Sequence, residues 1–191
     1  MYEGCYDGSG SIPTQPGNDV GPVFAGLNTR LNEYSGSLKG TEDIYPPDVI
    51  TRQTTPPLSY DDTTGAITQG GQVITDASQL DFNYSDYQAR IENGNFDIQP
   101  SPSGNGAFER RIMPVPIADC TGVNNGQSDL PILGVGCFFL LQEASGTGNN
   151  ANIFGEFVAD CQAGGTPGPA PSNIAGPYVI QLYRNFNSGD S

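Results

Sequence analysis

Histidine and tryptophan are absent from this 191-residue chain, and lysine occurs once, at Lys39. Without histidine there is no Ser-His or Cys-His nucleophile pair and no histidine-ligated metal, and one lysine leaves little room for Schiff-base or Ser-Lys chemistry. Basic residues are scarce: 7 Lys and Arg stand against 21 Asp and Glu, a formal net charge of −14. Such a chain cannot neutralise phosphates by counterion release, which excludes nucleic acid as a partner, and an anionic membrane surface repels it. Long apolar runs are also missing. The longest, Cys137-Phe138-Phe139-Leu140-Leu141, falls far short of the roughly 20 residues that span a bilayer. Met1 to Gly10 has neither the basic nor the apolar region of an export signal.

What the chain does have is glycine (26), proline (16) and 36% apolar residues. The composition is that of a loop-rich globular domain, since Gly and Pro together stay below the roughly 25–30% that marks disorder. At this length about 70% of the unfolded chain's surface becomes buried, enough for one sizeable domain. The four cysteines, at 5, 120, 137 and 161, contain no CxxC pair for zinc or redox chemistry. Two disulfides and an oxidising compartment are therefore expected, reached through a signal or anchor ahead of this chain. Cys120 and Cys161 each follow Ala-Asp at the end of a predicted strand, which favours Cys120–Cys161 and leaves Cys5–Cys137. The alternative for Cys137 is a buried free thiol.

The predicted organisation is a turn-rich lead-in over 1–19, a single α+β domain over 20–186 and a tail over 187–191. Val23, Leu27 and Leu31 recur at helical spacing and predict a helix over 22–34, with Asp19 as its cap and Gly36 beyond its end. The Pro/Thr/Asp stretch 41–66 reads as ordered loop, and Tyr45-Pro46-Pro47-Asp48 as a rigid turn that packs Tyr45 on the core. AITQGGQVIT, 66–75, reads as a strand or hairpin. Ser85 with Gln88 resembles a capping box, and Tyr84, Tyr87 and Ile91 share one face of a second helix ended by Gly94. From about 107 strands follow. Pro114 and Pro116 remove N–H donors from one side of Phe108–Asp119, predicting an edge strand or one paired only by its other side. Ile132–Leu141, apolar on both faces, predicts a central covered strand. Ile153–Val158 and Tyr178–Tyr183 supply two more. The fold class is α+β: a small mixed or mainly antiparallel sheet flanked by short helices, with long Gly/Pro-rich loops and disulfide stabilisation.

Gly17-Asn18-Asp19-Val20-Gly21-Pro22, Gly26-Leu27-Asn28-Thr29-Arg30, Tyr34, Pro46-Pro47-Asp48 and Tyr84-Ser85-Asp86-Tyr87 follow one another in the N-terminal half. In the C-terminal half come Arg110 to Ile117 (RRIMPVPI), Gly136 to Leu141 (GCFFLL), Gly155-Glu156-Phe157-Val158 and Tyr178 to Tyr183 (YVIQLY). In this order, over about 17–185, they resemble the ectodomain of TadG-like proteins of the Tad (Flp, tight adherence) pilus system. The resemblance implies a non-enzymatic pilus-assembly or minor-pilin-like component that contacts other pilus subunits in biogenesis and adhesion. It implies a bacterial periplasmic or cell-surface location, with an inner-membrane anchor helix that this chain does not contain. It implies no cofactor. Some larger members also carry a von Willebrand A-like domain, whose metal site needs an Asp-x-Ser-x-Ser run at the end of a buried apolar strand. Asp7-Gly8-Ser9-Gly10-Ser11 matches that run, but Met1–Tyr6 is too short and polar to be the strand before it, so the metal is not carried across. The alternative function is a secreted adhesion module that binds glycans or surface proteins through tyrosines and loops.

Other candidates arise from the residues alone. Asp81, Asn83, Ser85, Tyr87 and Glu92 have the spacing of calcium ligands in an EF-hand loop, but Asp86 stands where the turn needs glycine, and the region reads better as helix. Asp61-Asp62, and Asp119 with Asp160, are weaker calcium candidates. Carboxylate pairs are the catalytic chemistry the composition leaves open, and the expectation is that the chain is not an enzyme. Arg110-Arg111, just before a strand, is read as an Arg bridging to acidic residues of its own domain, with an anchor for an acidic partner as the other reading. Asn83-Tyr84-Ser85 matches the glycosylation sequon by chance.

Overall fold

The computed structural model describes residues 11–13, 20–119, 129–146 and 151–158. They form a small α+β fold of two antiparallel sheets and two short α-helices. Among the described residues no helix is long and apolar enough to cross a membrane.

The first helix, α1, runs Val20–Asn28 and continues as a 3-10 turn, Thr29–Leu31. It starts earlier and stops sooner than the predicted 22–34. Asn32 ends it in the left-handed region (φ 67°), and Thr29 and Leu31 of the tightened turn are buried whereas no residue of α1 is. The segment after it was expected to be loop throughout. It contains strand β2, Leu58–Asp61, which joins β3, Ala66–Gln69, and β4, Gln72–Ile74, in a three-stranded meander. The predicted hairpin is β3–β4, closed by Gly70 and Gly71 at φ 58° and 84°, the pair of positive angles a two-residue turn demands.

The second helix, α2, spans Tyr84–Glu92. Its capping box is Asn83 with Asp86, two residues upstream of the expected Ser85–Gln88, because Asn83 holds the extended conformation and accepts from Asp86 N–H. Its predicted apolar face packs inward: Tyr87 is buried, and Tyr84 and Ile91 lie against the core.

The larger sheet contains β1 (Ser11–Pro13), β5 (Ile112–Ala118), β6 (Asp129–Leu140) and β7 (Gly155–Val158). β6 is its centre. β5 lies along one side; β1 (opposite 129–131) and β7 (opposite 137–140) share the other. Residues 11–13 of the expected lead-in are thus part of the sheet. The Arg111 carbonyl accepts from Leu140 N–H at 2.9 Å, so odd-numbered residues of β5 turn their backbone groups toward β6. Pro114 and Pro116 therefore face the outer edge, and β5 pairs only through its other side among the described residues, as expected. The predicted strand Tyr178–Tyr183 lies outside the described residues.

The core lies at one end of β6. Phe139 and Leu141 pack with Val49, Ile50, Leu58, Leu80, Phe82, Tyr87 and Phe154. Pro47 to Ile50, in the stretch read as loop, are wholly buried. Their backbone is satisfied by neighbouring chain: Val49 N–H donates to Ala107 C=O at 3.1 Å, and Val49 C=O accepts from Asp97 and Ile98. The turn does pack on the core, but through Pro47 and Asp48; Tyr45 is half-buried. Among the described residues one face of the other half of β6 is not covered as predicted. Leu133 is 70% exposed, and Val135 is also exposed.

Candidate functional site

Arg111 sits where β5 begins, fully buried against the end of β6. Its guanidinium has five N–H donors, and all five are placed on backbone carbonyls. Nε and Nη2 donate to Leu140 (2.8 and 2.6 Å), Nη2 also to Leu141 (3.1 Å), and Nη1 to Ile50 and Arg52 (3.2 and 2.7 Å). Aromatic rings surround the charge: the guanidinium carbon lies 4.6 Å from the centroid of Phe139, 5.5 Å from Phe82 and 6.0 Å from Tyr87. Burial pulls the Arg111 pKa down to about 10, with Asp48 the largest opposing influence. The expected bridge to an acidic side chain is replaced by carbonyl dipoles.

Asp48 is the buried carboxylate beside it. Its oxygens accept from Ile50 N–H (2.8 Å), Arg111 N–H (3.1 Å) and the Tyr87 hydroxyl (3.1 and 3.3 Å). Burial raises its pKa, while those hydrogen bonds and the Arg111 charge pull the other way. Tyr87 is pushed well above the usual phenol value, first by burial and then by the Asp48 charge, and its oxygen accepts from Glu109 N–H at 3.2 Å. This network joins the 47–50 segment, α2 and the sheet. Each polar group in it is bonded to fixed partners, so its chemistry is that of a scaffold. Arg110, the other member of the pair, donates through Nε to Pro46 C=O at 2.9 Å. Sequence reasoning missed Asp48 as the partner; an Asp directly after two prolines, which hold the approach to it in extended chain, was the available signal.

The expected calcium ligands do not form a loop. Residues 84–92 are helical, Asn83 caps them, and Ser85 lies in the first turn. Asp81 accepts from Thr55 N–H (2.9 Å) and Gln69 Nε2 (2.7 Å) and pairs with Arg52 at 3.6 Å. Glu92 ends the helix. Among the described residues no group of three or more Cys, Asp or Glu is placed to hold a metal. Asp61 caps its own turn, accepting from Thr63 and Thr64, which holds its carboxyl below the usual range. Cys137, on β6, is disulfide-bonded. Cys5, Cys120, Cys161, Asp160 and the Asp7–Gly10 part of the Asp-x-Ser-x-Ser run lie outside the described residues, and both expected cysteine pairings with them.

The exposed part of the larger sheet forms the second element of the site. Alternation places Leu133 and Val135 on one face of β6; on the other, Phe157 packs edge-on to Phe138 (5.6 Å between centroids) while remaining 67% exposed. Ile117 shares that second face and is also exposed, and Gly136 leaves room between Ile117 and Phe157. Apolar side chains on both faces beside a proline-blunted edge suit contact through side chains, not strand addition.

Fold and site together define a small α+β domain with a scaffold built on a buried arginine and an apolar ribbon left open to contact. No family model, curated protein or solved structure matches the chain.

Proposed function

We propose that the chain is the exported part of a non-catalytic pilus-assembly or minor-pilin-like component of a bacterial Tad/Flp pilus, acting through protein–protein contacts in biogenesis and adhesion. The observation that carries the contact role is the exposed apolar surface of the larger sheet, with Leu133 of β6 and Phe157 of β7 at 70% and 67% exposure. The ordered sequence signatures supply the kind of partner, namely other pilus subunits. On this reading a preceding apolar helix anchors the full-length protein, and the domain works in the periplasm or at the cell surface.

The test places a photoreactive amino acid at Leu133 of the full-length protein in cells that assemble the pilus, followed by mass spectrometry of cross-linked products. Cross-links to identified pilus subunits are expected, and a second substitution, Phe157→Asp, is expected to reduce them. Their absence, or glycan-array binding by the isolated domain in their place, overturns the reading in favour of an adhesion module.

A further inference from the structure

A pocket of about 660 Å³ opens beside α1, within the range of small-molecule sites. Its wall is mainly apolar, with Val23, Leu27, Leu38 and Tyr45, and among the described residues Arg30 is the one charged residue in it. Arg30 is incompletely partnered: Nη1 donates to Arg110 C=O at 2.6 Å, but the buried Nε has no hydrogen-bond partner. Among the described residues the ion pairs are Arg52–Asp81 and Arg90–Asp97, and neither Arg30 nor Arg110 enters one. The carboxylate whose charge reaches Arg30 is Asp48, whose oxygens already accept from Ile50, Arg111 and Tyr87. Burial, and then the Arg110 charge, pull the Arg30 pKa down to about 10. The group stays cationic at neutral pH with its charge under-compensated. A half-buried cation on an apolar wall is costly unless an anion meets it.

We infer that the α1 pocket binds a small apolar molecule ending in a carboxylate, its body against Val23, Leu27, Leu38 and Tyr45 and its carboxylate on Arg30. The site is independent of the proposed pilus role. Calorimetric titration with octanoate and octan-1-ol separates the two parts of the recognition, because the ligands share the apolar body and differ in charge. The chain's net charge of −14 repels anions in general, so preference for octanoate has to come from a local cation.

Octanoate is expected to bind about tenfold or more tighter than octan-1-ol, the discrimination one charge-assisted hydrogen bond supports. Arg30→Gln is expected to remove that preference while leaving octan-1-ol binding unchanged. Val23→Trp, at a half-exposed position on the pocket wall, is expected to weaken both ligands by filling the space. Equal affinity for the two ligands, or octanoate binding unchanged in Val23→Trp, overturns the inference. If Arg30→Gln does not fold, these two measurements still decide it.

Discussion

The side-chain amide of Gln142 is hydrogen-bonded to both backbone groups of Leu58, as a neighbouring strand would be: Oε1 accepts from Leu58 N–H at 2.6 Å and Nε2 donates to Leu58 C=O at 3.2 Å. The next two residues are also held by side-chain amides. Gln53 exchanges two hydrogen bonds with Glu143, and Asn28 two with Ala144, across 116 residues of sequence. The segment leaving β6 is thereby fastened to the meander, the 46–54 segment and the end of α1.

Gln142→Leu is expected to destabilise the domain by about 2 kcal/mol, since it strands the N–H of buried Leu58 in nearly isosteric surroundings. Asn28→Ala, at a half-buried site, is expected to cost about 1 kcal/mol. Urea denaturation of the two variants checks both the size and the order.

The two neighbouring arginines are expected to differ sharply. Arg111→Met removes the guanidinium donors from the carbonyls of Ile50, Arg52 and Leu140 and leaves that of Leu141 with the Thr54 N–H alone, and it should cost about 3 kcal/mol or more. Arg110→Met removes one side-chain hydrogen bond to Pro46 and should cost about 1 kcal/mol. Equal losses in chemical denaturation would contradict the scaffold role assigned to Arg111.

Glu156 of β7 accepts from Tyr84 N–H at 2.8 Å, fixing the start of α2 to the sheet. Its pKa is raised above the ordinary 4.5, first by burial, with the Asp86 and Asp76 charges adding to it. A carboxyl with a raised folded value binds more protons folded than unfolded, so its contribution is most favourable below the ordinary value and declines as pH rises through the raised one. Glu156→Gln keeps the acceptor oxygen and loses the titration. The variant should gain on the parent as pH is raised from 4 toward 7, and melting curves across that interval would show the difference opening.

Gly155 begins β7 opposite Leu140, and a Cβ there would collide with the Phe138 ring and the Phe139 carbonyl. Gly155→Ala is expected to destabilise by about 1–3 kcal/mol, because the obstruction includes backbone that cannot rotate away. Amide hydrogen exchange should localise the loss to the β6–β7 ladder.

The local elements were readable because their signals are local. Gly70-Gly71 required a turn, Tyr84, Tyr87 and Ile91 marked a helix face, and Pro114 and Pro116 removed donors from one side of a strand whatever surrounded it. The misreadings are equally particular. Leu58–Asp61 has no strong strand pattern and is a strand because β3 pairs with it. Leu133 and Val135 have the composition of a covered strand, and whether a sheet face is covered depends on elements distant in sequence. Arg111 was read as bridging to an acidic side chain, whereas its buried charge is held by several backbone acceptors at once. Those acceptors come from chain 29 to 61 residues away.

By itself the sequence determined the α+β class, the proline-blunted edge and a net charge of −14, since these depend on residue type and spacing alone. Tertiary structure decided which charges are buried, which end of β6 is core and where Arg30, outside the ion pairs of the described residues, meets an apolar wall. Burial and hydrogen-bond satisfaction belong to arrangements of several segments, and no one segment carries them.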